Sequence, residues 1–300
     1  MIGQRGSLPS TLSLMSTPSH PRTVRPVDLL EALSFFSACY AVGGLVLVAL
    51  LLDTSLTGWT LAAAFAITWF VYILHRRRMA RRGAVATAGR SALLRKHDRL
   101  VVVLLWVSGM VAVGAGLMVS IWLPLLLAAS VVGMLVYGSG TDGRRVRDML
   151  VIKNACVGVS MACFWMLLAL TSREATVDTL SFWSIAVAAV ILVLADAMYC
   201  DLGDTAIDAR TRSRTAPIEW GGTSARLTAD VLVIFAAMLL VSTSATSPSA
   251  IWFIAPLGLL LSQIALRCVR PSRIRVAVDC RLPVLAMVCA AGVQMVTSTT

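Results

Sequence analysis

The chain has 300 residues, of which 58% are hydrophobic and 14% are charged, and its mean hydropathy is +0.84. A soluble domain of this size could not cover so much apolar surface, so the composition excludes an ordinary soluble protein. The net charge of +11 does not indicate nucleic-acid binding, because the charges stand in short clusters between apolar runs. The seven cysteines include no CxxC pair, which argues against a disulfide framework or a zinc site.

Residues 1–27 form a tail that is rich in Ser, Thr and Pro and has no continuous apolar core. This composition predicts a disordered cytoplasmic tail rather than a signal peptide. We expect the rest of the chain, 28–300, to form a single transmembrane domain.

Apolar runs of spanning length recur along that domain and do not alternate with polar residues. Continuous runs indicate helices rather than a barrel, so the sequence predicts an all-α, multi-pass membrane helix bundle with about nine spans. The predicted spans are 32–52, 57–75, 100–118, 121–138, 150–170, 179–200, 226–243, 250–267 and 282–298.

Basic residues stand almost entirely in alternate connections between these spans. The connection after the second span holds nine of them, whereas the connections on the opposite side hold only Arg173. Lys and Arg are enriched in cytoplasmic loops, so the N-terminus is predicted to be cytoplasmic. We therefore expect an integral membrane protein in contact with lipid, located in a bacterial plasma membrane.

Carboxylates gather at the end of the sixth predicted span, in the stretch DLGDTAIDARTRSRTAP. If the helix continues past Cys200, then Asp201, Asp204 and Asp208 fall at i, i+3 and i+7 and share one face. Three like charges on one face favour a divalent cation, and Mg²⁺ prefers such hard oxygen ligands. The alternative is a solvated helix end whose acids pair with the arginines that follow. Asp196 lies deeper in the span, where an ionisable group is a candidate for function.

Lys153 stands just inside the predicted cytoplasmic end of the fifth span. Its side chain has two possible positions. It could extend to the lipid headgroups, or it could face the bundle interior and hold an anion near a metal bound by the aspartates. Metal, Lys and Arg together would neutralise a diphosphate leaving group.

The carboxylate stretch resembles the second signature of the UbiA superfamily of intramembrane prenyltransferases. That signature has the pattern D-x-x-D-x-x-x-D, then a basic stretch, T-x-P and a Gly. Lys153 is similar to the family's lysine at the start of the fifth span, and the resemblance covers about residues 28–298. The residues that match the signature are Asp201, Asp204, Asp208, Arg214, Thr215, Pro217 and Gly221.

The first signature of the family is degenerate in this chain. In the stretch YILHRRRMARRG, Tyr72 and Arg76 fit, but His75 and Met79 occupy the acidic places. Neither residue replaces a carboxylate as a ligand for Mg²⁺. Two outcomes remain open: an enzyme with one metal in which arginines neutralise the diphosphate directly, or a site that no longer performs the chemistry.

The resemblance implies a prenyltransferase that ionises an allylic prenyl diphosphate with the help of Mg²⁺ and transfers the prenyl group to an aromatic or other small-molecule acceptor. It implies that Asp201, Asp204 and Asp208 hold the metal and that Asp204, Asp208 and Lys153 are catalytic. Two alternatives are a terpene cyclase of the same type and a non-catalytic lipid-binding homologue. The implied diphosphate clamp is Arg76, Lys153, Arg145 and Arg214, and the implied prenyl and cation pocket is Trp69, Tyr72, Trp165, Asp196 and Tyr199.

Overall fold

The structure is a computed structural model that describes residues 25–81, 89–140, 148–171, 178–211, 213–243 and 250–299. These residues are almost entirely helical and include no strand, which confirms the predicted all-α class. The predicted disordered tail lies outside the described residues up to residue 24, and the first helix begins at Pro26.

Twelve α-helices and one short 3₁₀ turn make up the described chain, and the turn, Pro271–Arg273, immediately precedes the last helix. The helices are α1 Pro26–Ala32, α2 Phe35–Leu51, α3 Gly58–Ala80, α4 Gly89–Lys96, α5 Asp98–Val119, α6 Leu123–Tyr137, α7 Leu150–Thr171, α8 Thr179–Thr211, α9 Ala216–Glu219, α10 Gly222–Thr243, α11 Ile251–Arg267 and α12 Ile274–Thr299.

Every predicted span overlaps an apolar helix of the structure. By length and composition, six described helices can cross a membrane, and a seventh span results if α1 and α2, which meet at 68°, are counted as one. The helices α6 and α11 are apolar but shorter. The multi-pass helical architecture is therefore confirmed, whereas the number nine and the side of the N-terminus stay predictions.

Helix α8 is much longer than the predicted sixth span. Its 33 residues extend for about 50 Å, more than the hydrocarbon thickness of about 30 Å. The helix therefore continues past Cys200, and the three aspartates of the second signature stand on its last turns. Helices α3 and α12 likewise continue beyond their predicted spans, which places charged residues on regular helix at the same end of the bundle.

Close helix contacts hold α2 at the centre of the bundle. A Cβ atom at Gly43 would lie 2.3 Å from the backbone nitrogen of Pro283, and one at Gly44 would lie 2.1 Å from the ring of Trp165. Only glycine permits such approach, because any side chain would overlap these atoms. The two glycines thus set how closely α2 packs against α12 and α7.

A second, smaller apolar cluster joins α1 and α4 to the ends of α3 and α5. It contains Ala32 of α1, Ile73 of α3, Leu94 of α4 and Val101 of α5. We call α1 and α4 the cap, because this packing holds them against one end of the bundle. The cap brings Glu31 and Arg90 to that end.

Candidate functional site

Lys153 and Asp201 form an ion pair between α7 and α8. Both side chains are largely buried, and the lysine ammonium donates to Oδ1 of the aspartate. The other oxygen, Oδ2, is buried and has no hydrogen-bond partner in the part of the chain that the structure describes. The sequence allows two positions for the Lys153 side chain. In the structure it faces the bundle interior. The ion pair leaves Oδ2 of Asp201 available to a further cation.

Asp204 stands one turn along α8 and is held by two arginines. Arg90 of the cap donates to Oδ1 and Arg275 of α12 donates to Oδ2. Arg90 also pairs with Glu31 of α1, at 3.2 Å. The Nε of Arg275 is buried without a hydrogen-bond partner among the described residues. The middle aspartate of the signature thus joins the cap to the bundle.

Arg76 of α3 lies within electrostatic range of Asp204 and of both arginines that hold it. Its side chain is half-buried, yet among the described residues it makes no hydrogen bond and no ion pair. Its two neighbours in the sequence differ: Arg77 pairs with Asp98 at 2.9 Å, and Arg78 donates to the backbone oxygen of Leu135 at 3.0 Å. Of this arginine run, Arg76 is the one that faces the site.

We call Arg76, Arg90, Lys153, Asp201, Asp204 and Arg275 the polar cluster. These residues come from five helices and meet at the end of the bundle that the cap covers. Tyr72 borders the cluster, within electrostatic range of Arg275 and Arg76. Asp279 of α12 interacts electrostatically with the same two arginines and accepts a 2.9 Å hydrogen bond from Ser37.

The segment after α8 folds back onto the start of α7. Ser213 donates its backbone N–H to the carbonyl of the buried Asp208 at 2.9 Å, and its hydroxyl donates to Asp148 at 2.8 Å. The guanidinium of Arg214 is 67% exposed and pairs with Glu219 at 2.7 Å, which lowers the pKa of that carboxyl. The structure thus holds Arg214 on the surface, apart from its expected place in a clamp. Arg145, the other expected clamp residue, lies outside the described residues.

A separate network of buried polar groups lies deeper in the bundle. Arg281 of α12 pairs with Asp196 at 2.7 Å and also donates to Ser262, while Tyr40 donates to the other oxygen of Asp196 at 2.9 Å. We call Tyr40, Asp196, Ser262 and Arg281 the buried network. Trp165 packs beside it, with its ring 5.8 Å from that of Tyr40.

The other expected pocket residues are divided between different surroundings. Tyr199 is fully buried and donates to Asp230 at 2.6 Å, in a group that also contains Gln263 and Arg267. Trp69 donates to the backbone oxygen of Leu33 at 2.9 Å and packs against aromatic rings near the cap. The structure brings Tyr72 to the polar cluster and Trp165 and Asp196 to the buried network, and it places Trp69 and Tyr199 elsewhere.

The contacts given for the described residues do not connect the two unusual residues of the first signature, His75 and Met79, to the polar cluster. The ring of His75 lies 6.0 Å from that of Tyr137 on α6. Met79 is buried. The acidic places of the first signature are thus occupied by side chains that contribute no oxygen ligand.

The donor atoms of the site can be compared with the needs of Mg²⁺. Asp201 provides a buried oxygen without a partner among the described residues, and Asp204 and Asp208 follow within about 10 Å on the same helix. Within the described ranges no three His, Cys, Asp or Glu side chains converge. The residues therefore fit one Mg²⁺ that completes its shell with water and substrate oxygens. They do not fit a second ion on α3.

The sequence does not identify five members of these two groups, and it also misses Asp279 beside the polar cluster. The five members are Tyr40, Arg90, Ser262, Arg275 and Arg281. Arg275, Asp279 and Arg281 lie before the predicted ninth span, which begins at residue 282, so the sequence pattern places them in a connection between spans. A signal was present, because Arg275 and Asp279 are four residues apart and lie on one helical face if α12 begins earlier. Nothing in the sequence ties Arg90 to Asp204, since they are 114 positions apart.

No protein-family model matches the sequence, and no curated protein sequence matches it either. Solved structures do match. The apo structure of a UbiA homologue from Aeropyrum pernix K1 gives a TM-score of 0.60 at 15% identity, covering 93% of this chain and 100% of that one. A UbiA homologue from Archaeoglobus fulgidus bound to GPP and Mg²⁺ gives a TM-score of 0.62 at 13% identity, covering 89% of this chain and 99% of that one. A structure of digeranylgeranylglyceryl phosphate synthase gives a TM-score of 0.51 at 11% identity, covering 89% of this chain and 96% of that one.

These likenesses show that the chain has the fold of UbiA homologues over most of its length. The predicted resemblance to the UbiA superfamily is thereby confirmed at the level of the fold.

Proposed function

We propose that this chain, which has the fold of the UbiA homologues, is an intramembrane prenyltransferase that acts on an allylic prenyl diphosphate. The observation that carries the proposal is the polar cluster. It gathers cations and carboxylates at one end of an apolar bundle and leaves Arg76 without a direct partner among the described residues. Buried charges are costly unless they are paired, so an incomplete set favours a charged ligand.

The diphosphate of the substrate lies in the polar cluster under this proposal. Lys153 is fixed by Asp201 and presents its remaining ammonium donors, and Arg76 offers an unused guanidinium. Such donors stabilise the negative charge that develops as the allylic C–O bond breaks. Lys153 and Arg76 thus hold the leaving group, and Tyr72 stands beside it.

Mg²⁺ is the proposed cofactor, as in the A. fulgidus homologue bound to GPP and Mg²⁺. Asp201, Asp204 and Asp208 would hold it, and Asp201 is the best placed of the three because its Oδ2 is uncommitted. When bound, the ion supplies charge neutralisation for the departing diphosphate. Lys153 keeps Asp201 oriented for this role.

The prenyl tail extends into the apolar interior under the same proposal. A narrow gap there is lined by Leu47 of α2, Trp165 of α7, Leu192 of α8 and Leu240 of α10, with α11 and α12 completing it. An apolar lining shields an allylic cation from water, and the ring of Trp165 presents a π face to it. Transfer then forms a bond between the allylic cation and a small-molecule acceptor, which releases a proton as the diphosphate departs. The reaction takes place on the side of the membrane that the arginine pattern predicts to be cytoplasmic.

Turnover by the purified chain tests the proposal. The protein in nanodiscs is incubated with C10 to C20 prenyl diphosphates, acceptors and Mg²⁺, and pyrophosphate release is measured. We expect release that depends on Mg²⁺ and is lost in Asp201→Asn, which keeps the shape of the side chain but removes its charge. Arg77→Gln is the matched control, since Arg77 pairs with Asp98 away from the cluster.

Product analysis without an acceptor separates transfer from cyclisation. A cyclic hydrocarbon or alcohol formed from the donor alone would replace the transferase proposal by a cyclase. Absence of turnover with every donor and acceptor, by a protein that melts cooperatively, would leave a lipid-binding role.

A further inference from the structure

The three arginines of the polar cluster are more than Asp204 requires. We call Arg76, Arg90 and Arg275 the arginine triad. A carboxylate has two oxygens, and those of Asp204 are already occupied by Arg90 and Arg275. Each guanidinium carries several N–H donors in a fixed fork, so most donors of the triad are not used by this aspartate.

Two observations show that the triad is incomplete. Arg76 makes no ion pair or hydrogen bond with any described residue, although it lies in range of Asp204 and Asp279. The Nε of Arg275 is buried, and no partner for it exists in the described ranges. A buried donor without an acceptor destabilises the protein unless a ligand satisfies it. Both open positions are N–H donors on positively charged groups, so an anion would satisfy their hydrogen bonds and their charge together.

The geometry of the fold explains why the anion is a polyvalent one. Like charges brought together from α3, α4 and α12 repel. Arg90 pairs with Glu31 and Asp204, and Arg275 pairs with Asp204, whereas Arg76 has only electrostatic interactions with Asp204 and Asp279. Phosphate groups match the guanidinium fork in bidentate fashion and carry several charges. The triad also stands beside Asp201 and Lys153, which the proposed function assigns to the same leaving group.

We infer that the arginine triad binds the diphosphate group directly and without a metal. The identity of the anion as a prenyl diphosphate rests on the proposed function, whereas binding of a diphosphate group does not. Arg90 and Arg275 thus become part of the binding site, and the cap closes over it through Arg90.

Binding of inorganic pyrophosphate in the presence of EDTA tests this inference. Isothermal titration uses the full chain in nanodiscs at about 0.15 M salt, which screens the exposed arginines. We expect the wild-type chain to bind pyrophosphate without metal. Arg76→Gln should weaken binding about tenfold or more, because it removes charge-assisted hydrogen bonds. Arg77→Gln, a neighbour that faces Asp98, should bind like the wild type.

Thermal melting without ligand guards against a folding defect. Arg76 has no protein partner among the described residues, so Arg76→Gln should melt at the wild-type temperature in the absence of pyrophosphate. Arg275→Lys keeps the charge but loses the fork, and it should bind more weakly than wild type and more tightly than Arg275→Gln. Pyrophosphate binding that requires Mg²⁺, or binding unchanged in Arg76→Gln, would overturn the inference.

These outcomes are separate from those of the turnover assay. Binding in EDTA without turnover of any prenyl diphosphate would retain the metal-free anion site and remove the proposed function. Turnover together with strictly Mg²⁺-dependent pyrophosphate binding would retain the proposed function and remove the metal-free anion site.

Discussion

Two groups of charged residues on α8 lie only a few residues apart, yet they differ in how far their polar atoms have hydrogen-bond and ion-pair partners. In the buried network, Asp196 receives Arg281 on one oxygen and Tyr40 on the other, and the remaining donors of Arg281 reach Ser262 and the carbonyl of Leu259. In the polar cluster, an oxygen of Asp201 and a nitrogen of Arg275 have no partner among the described residues.

This difference indicates which of the two groups stabilises the fold and which binds a ligand. A closed network satisfies its own charges and needs no ligand, so it fixes α8, α11 and α12 relative to one another. An open cluster keeps charge unsatisfied within the fold, and such sites are where ligands bind. We therefore expect ligand binding, under the proposed function, at the end of α8, and a structural role for the network about two turns deeper.

Breaking the buried network should have the largest effect. Arg281→Leu leaves Asp196 buried without its charged partner, which costs about 3–5 kcal/mol. The expected result is a large fall in melting temperature in detergent. Asp196→Leu combined with Arg281→Leu should recover much of this loss, since no charge then remains buried. A single variant that melts like the wild type would show that the network is not structural.

Asp204→Asn tests the open cluster. The variant keeps the side-chain shape but removes the charge that Arg90 and Arg275 both bind, so we expect turnover of a prenyl diphosphate to fall about 100-fold. Its melting temperature should change far less than that of Arg281→Leu, because the cluster is partly exposed. The kcat in nanodiscs is the measurement. Turnover within twofold of wild type would remove Asp204 from the site.

Restoring an acid to the first signature has a smaller expected effect. His75 faces Tyr137 rather than the polar cluster, so His75→Asp should give no gain in turnover at any Mg²⁺ concentration. His75→Asn is the uncharged control. A large gain that appears only in the aspartate variant would mean that the natural site has lost a metal that it could still use.

The smallest effect is expected at the third charged group, around Asp230. Arg267 is 55% exposed, and Asp230 also accepts hydrogen bonds from Tyr199 and Gln263. Arg267→Gln should therefore cost about 1 kcal/mol or less in the free energy of unfolding and leave turnover unchanged. A loss of turnover without loss of stability would extend the functional region to this side of α8.

Much of the fold could be predicted from the sequence, because apolar runs and arginine placement are local patterns. The spacing of Asp201, Asp204 and Asp208 was sufficient to place them on one helix, and the structure continues α8 through all three. Lys153 was left with two possible positions, and its contact with Asp201 required the packing of α7 on α8.

The partners of the charged residues could not be predicted in the same way. Arg90 and Arg275 reach Asp204 from parts of the chain 114 and 71 positions away. A hydropathy pattern does not indicate which distant charged residues pair with each other. Tyr199 and Trp165 both lie within predicted spans, so hydropathy does not distinguish their positions in the bundle. One donates to Asp230 and the other packs beside Tyr40, because their helices present them to different neighbours.

A crystal structure with a non-hydrolysable geranyl diphosphate analogue and Mg²⁺ would test the central claim most directly. We expect the diphosphate to contact Arg76, Arg275 and Lys153, with one metal ion on the α8 aspartates and the geranyl chain in the apolar interior. A diphosphate bound away from Arg76, or a second metal ion held by α3, would contradict it.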